Sequence, residues 1–314
     1  MTTRIADLAQ NMLVLRVITE TKSRINDAQL QISTGQKSQD YAGIADVSGR
    51  LVTLEDSVNR TDQFLTDNTF VNLRINTMLN SVDQVQKTVD KLKGLVRDVL
   101  DDGNLPAGTN KDDLSQVYFN EIKDALNVSV NGRHLFAGSK TDVAPVANVD
   151  LSSAPTNSGP PDYTTVAEPS YYYQGDDTVQ KARIDEGVVL NYGVNASNPA
   201  FEKVIRAVRI LRSTPTDGSD PNYIKKYQDA LNLLNDATDN LSSVQLSLGT
   251  QGQQLAKTNQ KHADQKTFFQ TVISDLESAD TAEAVAKVNQ DQATLEASYS
   301  TLVRLSGLSL TKYL

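Results

Sequence analysis

The sequence contains no cysteine and no tryptophan, and only two histidines occur among its 314 residues. Without cysteine the chain can form no disulfide, no thiolate metal site and no thiol nucleophile. Aromatic residues make up 6% of the chain, so the sequence does not predict a core built on large rings. No run of about 18 apolar residues occurs, and the sequence therefore predicts no membrane span.

Positive charge is also in short supply. The chain carries 30 Lys and Arg residues against 39 Asp and Glu, a formal net charge of −9. A nucleic-acid binder needs a basic surface to neutralise phosphates, and anionic membranes attract basic segments, so we expect neither partner. The first residues lack a basic segment followed by a continuous apolar core. We therefore predict no cleavable signal peptide, and secretion would need another route.

Sequence motifs typical of enzymes, metal sites and nucleotide-binding sites are also absent. The chain has no H-E-x-x-H, G-x-S-x-G, Walker or G-x-G-x-x-G motif. His134 and His262 lie far apart, and His262 is expected on the surface or in the seam of a long helix. The paired carboxylates within Gln174–Thr178 are more typical of a turn than of a cation site. We predict neither an enzyme nor a site for a cofactor or a metal.

The dominant feature that is present is heptad periodicity. Two rows of a/d positions cover residues 51–96, and no proline interrupts residues 47–105. These rows consist of Leu51, Val58, Leu65, Asn72, Leu79 and Gln86, and of Leu54, Thr61, Asn68, Ile75, Val82, Val89 and Val96. A second stripe passes through Leu234, Leu241, Leu248 and Leu255 to Leu276. A helix of about 50 residues would be about 75 Å long, so the two stripes predict an antiparallel rod.

Shorter amphipathic stripes occupy both ends of the chain, and each spans about 30 residues. The predicted assembly residues of the N-terminal helix are Ile5, Leu8, Met12, Leu15, Ile18 and Ile25. Those of the C-terminal helix, which are also the predicted chaperone-binding residues, are Val285, Val288, Leu295, Tyr299, Leu302, Leu305 and Leu308. Two helices of this size bury little apolar surface alone. We expect the ends to be loosely ordered in the isolated chain and to pack when other copies supply neighbours.

Polar residues interrupt these terminal stripes at Thr19, Lys22, Gln292 and Ser306. Such residues weaken the pairing of apolar rows and thereby oppose premature aggregation. We hypothesise that they also permit small sliding between neighbouring copies.

The middle of the chain has a different composition. Residues 133–199 are rich in Gly, Pro and Ser and contain short β-type runs. The pair Asn131-Gly132, between apolar runs, predicts a tight hairpin. Asn198 and Pro199 have the positions of an N-cap and a first helical residue, so a helix should follow them. Its predicted apolar face consists of Phe201, Val204, Ile205, Val208 and Leu211. A further short helix is predicted over Lys111–Leu126, with Leu114, Val117, Ile122 and Leu126 on one face. A β-rich insert is therefore predicted on a helical framework.

The predicted fold class is mainly α, a long antiparallel coiled-coil or helical-bundle rod with a small β-rich insert in the middle. The predicted domains are three. Residues 1–35 and 280–314 form a terminal coiled-coil assembly domain, residues 36–132 and 200–279 form the helical rod, and residues 133–199 form the insert.

Three stretches resemble the bacterial flagellin family. Leu30–Leu51 is similar to the segment that leads from the family's terminal helix into its rod. Asn127–Asp142, which contains "NGRHLFAGS", and Ala279–Leu314, which ends in "LSLTKYL", are similar to the members that join hook to filament. The resemblance spans essentially the whole chain. One departure is that family members usually carry a paired-Asp element after the terminal helix, whereas Gln39–Gly43 has a single Asp.

The resemblance implies a non-enzymatic structural component of the flagellum, without cofactors. Its implied partners are other copies of itself, hook-associated or junction proteins, flagellin, and an export chaperone that binds the C-terminal helix before secretion. It implies an extracellular location, reached through the flagellar type III export apparatus with an uncleaved signal. Two alternatives stay open, a divergent filament flagellin and a secreted adhesin or effector that uses the insert.

Overall fold

The protein is described from a computed structural model that covers residues 2–102, 108, 110–152, 171–215 and 220–310, with side chains except at 2–8, 11, 102 and 305–310. Within these ranges the helices are α1 (Thr2–Thr34), α2 (Ala45–Asp102), α3 (Lys111–Leu126), α4 (Pro199–Ser213), α5 (Tyr223–Glu277) and α6 (Thr281–Leu310). The strands are β1 (Ser129–Val130), β2 (Arg133–His134), β3 (Gln180–Asp185) and β4 (Val188–Tyr192). The predicted class, mainly α with a small β insert, is confirmed.

The two long helices form because proline is absent from both and apolar residues recur along one side. α2 has 58 residues and α5 has 55. In α5 the predicted row is confirmed, since Leu234, Leu241, Leu248 and Leu255 are all buried. In α2 the row from Thr61 to Val96 is largely buried as well, including Asn68.

The other predicted row of α2 is wrong at Asn72, which is exposed. Val58, Leu65, Leu79 and Gln86 are half-buried, and Leu79 packs against the buried cluster of the central unit. The structure instead buries a row one position earlier, composed of Val71, Met78, Val85, Leu92 and Val99. Both rows satisfy the heptad spacing, but only the second is apolar throughout, so it buries more apolar surface.

The chain divides into two compact units. The terminal unit comprises Met1–Asp62 and Asp264–Leu314, and the central unit comprises Gln63–Ala263. The division into three predicted domains stays a prediction.

The central unit is built around α4, which is buried on nearly every side. Its predicted apolar face is confirmed, since Phe201, Val204, Ile205, Val208 and Leu211 are all buried. Asn198 accepts a hydrogen bond from the backbone N–H of Ala200, and Pro199 begins the helix, as predicted. α3 packs against α4 and has its predicted bounds. Its predicted face is partly wrong, because Val117 is exposed and Phe119 is buried instead.

Two antiparallel hairpins lie in and beside the described part of the insert. β1 pairs with β2 around the predicted turn, where Asn131 and Gly132 have φ angles of 53° and 74°. These left-handed conformations are those of the tight hairpin turn that Asn-Gly favours. β3 pairs with β4, and Ile184, Leu190 and Tyr192 pack against Val71, Ile75 and Leu255 of the long helices.

The paired carboxylates of the insert, Asp176 and Asp177, accept hydrogen bonds from other residues of this protein. Asp176 accepts hydrogen bonds from the backbone N–H groups of Ser139 and Thr178, both at 2.9 Å, and from the Ser139 hydroxyl. Asp177 accepts one from the Ser197 hydroxyl at 3.1 Å. These two carboxylates therefore connect the loop that contains Ser139 to the loop that contains Ser197.

Candidate assembly surface

The two ends of the chain meet in the terminal unit, where α1 packs against α6. The residues of α1 turned away from solvent recur at alternating intervals of four and three residues, as in a coiled-coil seam. They are Val14, Ile18, Thr21, Ile25 and Ala28. The corresponding residues of α6 are Ala284, Val288, Asp291, Leu295, Ser298 and Leu302. Polar members interrupt both rows, so this intramolecular seam is thin.

A charged pair crosses the seam between the two helices. Arg24 Nη2 donates to Asp291 Oδ1 at 2.8 Å, and Arg24 Nε donates to Oδ2 at 3.2 Å. Arg24 also donates to the hydroxyl of the buried Thr21 at 3.2 Å. The hydrogen bond from Arg24 lowers the pKa of Asp291 below its ordinary value. Exposed pairs of this kind add little stability, but bidentate geometry selects which residues face each other.

The structure divides the predicted assembly residues between two environments. Ile18 and Ile25 are buried in the seam, and Val288, Leu295 and Leu302 are half-buried there. Met12, Leu15, Val285 and Tyr299 are exposed. The side chains of Ile5, Leu8, Leu305 and Leu308 lie outside the described residues.

Apolar side chains cover most of the circumference of α1 between residues 12 and 18. Leu13 and Val17 are exposed besides Met12 and Leu15, and Met12 and Leu13 have exposed fractions of 61% and 62%. Each helical residue advances by about 100°, so Met12 lies about 200° round the helix from Val14 in the seam. A helix that is apolar on all sides is normally buried. The sequence reasoning missed Leu13 and Val17, although five apolar residues within 12–17 cannot share one face.

An exposed row also follows α6. Val285, Gln292 and Tyr299 are seven residues apart and exposed, and Val303 is 69% exposed. The ammonium group of Lys22 lies 5.7 Å from the centre of the Tyr299 ring, a cation–π contact between the two helices. Exposed apolar rows bounded by polar residues mark surfaces that bind other proteins.

No three His, Asp or Glu side chains converge as metal ligands in the described part of the chain. None of the helices described is long and apolar enough to cross a membrane. The fold and the exposed rows are typical of a structural protein whose two ends pair with each other and leave apolar surface exposed.

Comparison with known families agrees with this class. Residues 5–141 match the bacterial flagellin N-terminal helical region, and residues 231–314 match the bacterial flagellin C-terminal helical region. The chain belongs to the bacterial flagellin family. It is therefore a structural component of the bacterial flagellum, an extracellular appendage.

Individual relatives narrow the comparison. The chain is 22% identical over 296 residues to flagellar hook-associated protein 3 of Salmonella typhimurium, covering 89% of this chain and 90% of that protein. A candidate flagellar hook-associated protein from Vibrio parahaemolyticus shares the fold with a TM-score of 0.57 and 16% identity, over 75% of this chain and 100% of that one. FlgL of Bacillus cereus does so with a TM-score of 0.53 and 12% identity, over 72% and 99%.

Proposed function

We propose that this chain is a structural, non-enzymatic subunit that joins the hook of the bacterial flagellum to its filament through assembly of its terminal helices. The observation that carries the proposal is the pair of exposed apolar rows on α1 and α6 in a chain with flagellin-type ends. The similarity to hook-associated protein 3 along 89% of the chain supports the junction rather than the filament.

Assembly is driven by burial of these rows. Met12, Leu15, Val285 and Tyr299 pass from water into contacts with neighbouring copies or with the adjoining hook and filament proteins. Fully burying one large apolar side chain contributes about 1.5–3 kcal/mol. Ordering of the two ends opposes this gain. Because the cost of ordering opposes the gain from burial, the ends need neighbouring chains in order to fold. Folding of the terminal unit and assembly therefore occur together.

The same rows need to be covered before assembly. We propose that a flagellar export chaperone binds the exposed row of α6 in the cytoplasm and that the chain then leaves unfolded through the flagellar export apparatus. The absence of cysteine supports this route, because no disulfide can hold the chain folded. Binding of the chaperone from the same organism should weaken when Val285 and Tyr299 are both changed to Asp.

Localisation tests the proposed function directly. Antibody against this chain, detected by gold particles on isolated flagella, should label the boundary between hook and filament with a few copies per flagellum. Deletion of the gene should leave hooks without filaments and release flagellin into the medium. Label along the whole filament would contradict the junction role and support the filament alternative. Label absent from flagella would contradict both.

Substitution tests the assembly surface. Met12→Asp together with Leu15→Asp should abolish filament attachment while the central unit remains folded by circular dichroism, because two carboxylates cannot be buried without partners. Leu246→Asp is the matched control, since it changes an exposed apolar residue of the central unit to a carboxylate. Normal attachment in the double variant would overturn the assignment of this surface.

A further inference from the structure

The long helices α2 and α5 continue without a break from the central unit into the terminal unit. The boundary between the units falls between Asp62 and Gln63 in α2, and between Ala263 and Asp264 in α5. Removing one residue from the end of an existing helix costs little free energy, so loss of structure spreads easily along a helix. If the ends of the chain are unfolded before assembly, a feature of the central unit has to stop this loss at the boundary.

The β3–β4 hairpin supplies a hydrogen-bond acceptor beside this boundary. Arg183 pairs with Val189 and Asp185 pairs with Val188, so Ile184 is the extra residue of a β-bulge. The extra residue of a bulge is left unpaired by the facing strand. The carbonyl of Ile184 is therefore available to donors outside the hairpin.

Two side chains of the long helices donate to this carbonyl. Asn68 Nδ2 of α2 donates to it at 3.0 Å, and His262 Nε2 of α5 also lies 3.0 Å from it. A carbonyl oxygen only accepts, so the Nε2 atom carries the proton of the imidazole. Asn68 Nδ2 also donates to Asn259 Oδ1 of α5 at 2.8 Å. The elements α2, β3 and α5 are thereby joined at one oxygen atom.

The contact is buried and lies at the edge of the central unit. Asn68 is 0% exposed and His262 is 2% exposed. The His262 ring stacks on the Phe64 ring, with ring centres 5.2 Å apart and planes 4° from parallel. Phe64 and His262 are each the second residue from the boundary of the unit. Beside the bulge, Lys261 of α5 donates to Oδ2 of Asp185 at 2.8 Å.

Packing alone does not account for Asn68 and His262. Asn68 precedes the buried Ile75 by one heptad in its row, and His262 follows the buried Leu255 by one heptad in its own. Burying a polar side chain at such a position costs more free energy than burying an apolar one. Buried polar residues in a helical seam instead select one arrangement of the elements that meet there. The two residues therefore act through their shared hydrogen-bond acceptor.

We propose that the Ile184 carbonyl and its donors, Asn68 and His262, form a stop that keeps loss of structure in the terminal unit from spreading into the central unit. At this level α2 and α5 separate only if the hairpin is released as well, because all three elements share the same oxygen. The stop needs no folded terminal unit. That it protects a subunit whose ends wait for assembly rests on the proposed function, whereas the stop itself does not.

Hydrogen exchange on the purified full chain, followed by mass spectrometry of its peptides, tests the stop. The double variant Asn68→Leu with His262→Phe removes both donors but keeps an apolar seam and a ring beside Phe64. The Ile184 carbonyl would then have to reach water, because an unpaired buried acceptor is costly. Residues 63–75, 180–192 and 252–263 should exchange about tenfold faster than in the parent, while α4 should exchange at the parent's rate.

Two control variants separate the hydrogen bonds from the loss of a histidine. His262→Gln keeps a donor in place of Nε2 and should leave the exchange of these three segments unchanged. His134→Phe removes the other histidine of the chain, whose Nδ1 lies 2.8 Å from the Asn127 carbonyl, and should also leave it unchanged. If the double variant does not fold, His262→Phe alone is compared with His262→Gln in the same segments.

Two outcomes would overturn the proposal. Exchange of the three segments that is equal to or slower than in the parent would mean that apolar burial alone holds the boundary. Exchange of α4 that rises by the same factor would indicate a general loss of stability rather than the loss of a stop. The measurement uses the monomer, so its failure is distinct from a failure to find the chain between hook and filament.

Discussion

The central and terminal units are made largely of helix, yet they bury very different amounts of apolar surface. A continuous cluster from α2, α3, α4, α5 and the insert fills the central unit. Among the described side chains of the terminal unit, the buried apolar residues are only Ile18, Ile25, Ala28, Ile44, Leu51 and Ala284. Twelve of the large apolar side chains described as exposed nevertheless belong to this smaller unit.

This difference indicates that the two units are completed by different means. The central unit contains enough buried surface to offset the cost of ordering its own chain. The terminal unit contains a similar fraction of apolar residues, but many of their side chains are exposed to water. On the proposed function, other chains supply the rest of its core when the ends join a larger assembly.

The largest expected effect is in the core of the central unit. Phe201 is fully buried and meets Phe136 edge to face, with ring centres 5.7 Å apart. Phe201→Ala should lower the free energy of unfolding by about 3–5 kcal/mol in urea titrations, since it loses apolar contacts and leaves a cavity. The exposed Val117→Ala should change it by less than about 0.5 kcal/mol. A loss below about 1 kcal/mol for Phe201→Ala would contradict the claim that the central unit is stabilised by its own buried core.

A smaller effect is expected in the terminal unit, and it should alter association rather than folding. Gln292→Leu completes the exposed row between Val285 and Tyr299, so each neighbour contact gains about 1.5–3 kcal/mol. The self-association constant measured by sedimentation should rise by about tenfold or more, and swimming should change as hook–filament coupling alters. Gln290→Leu adds the same side chain outside the row. Equal association of both variants would contradict the assignment of the row.

The smallest expected effect is the dependence of folding stability on pH through a carboxylate of the insert. Hydrogen bonds from the Ser139 hydroxyl and backbone lower the pKa of Asp176 well below its ordinary value, and the Thr178 N–H adds to them. A lowered pKa stabilises the folded chain above the unfolded value of about 4, and this contribution is lost as the pH falls through the folded value. Asp176→Asn should therefore be less stable than the parent at pH 7.

The difference in urea midpoint between Asp176→Asn and the parent, which we call the gap, should decrease as the pH is lowered from 7 to 2. Asp98→Asn, at an exposed position of α2, serves as the control and should follow the parent throughout. A gap for Asp176→Asn that stays constant over this pH range would contradict the role of its charge.

Local signals in the sequence were sufficient for much of the fold. The bounds of α3, the cap at Asn198 and the turn at Asn131 follow from residues that act within a few positions of each other. The choice between two rows in α2 did not, because the heptad spacing allows Asn72 as readily as Val71. Contact with the facing helix and strands decides that choice, and a single stripe does not contain this information.

The candidate site was less accessible to sequence reasoning than the fold. The assembly residues proposed for both ends stay predictions, although the structure leaves Met12, Leu15 and Val285 exposed. The contact between Arg24 and Asp291 joins residues 267 positions apart, so no local pattern indicates it.

Hydrogen exchange on the purified monomer tests most directly whether the ends depend on assembly. The central unit should exchange slowly, with the slowest amides in the buried parts of α2 and α5. Residues 2–20 and 295–310, which lie beyond the pair of Arg24 and Asp291, should exchange nearly as fast as an unstructured chain. Protection of these ends in the monomer equal to that of the central helices would contradict the account.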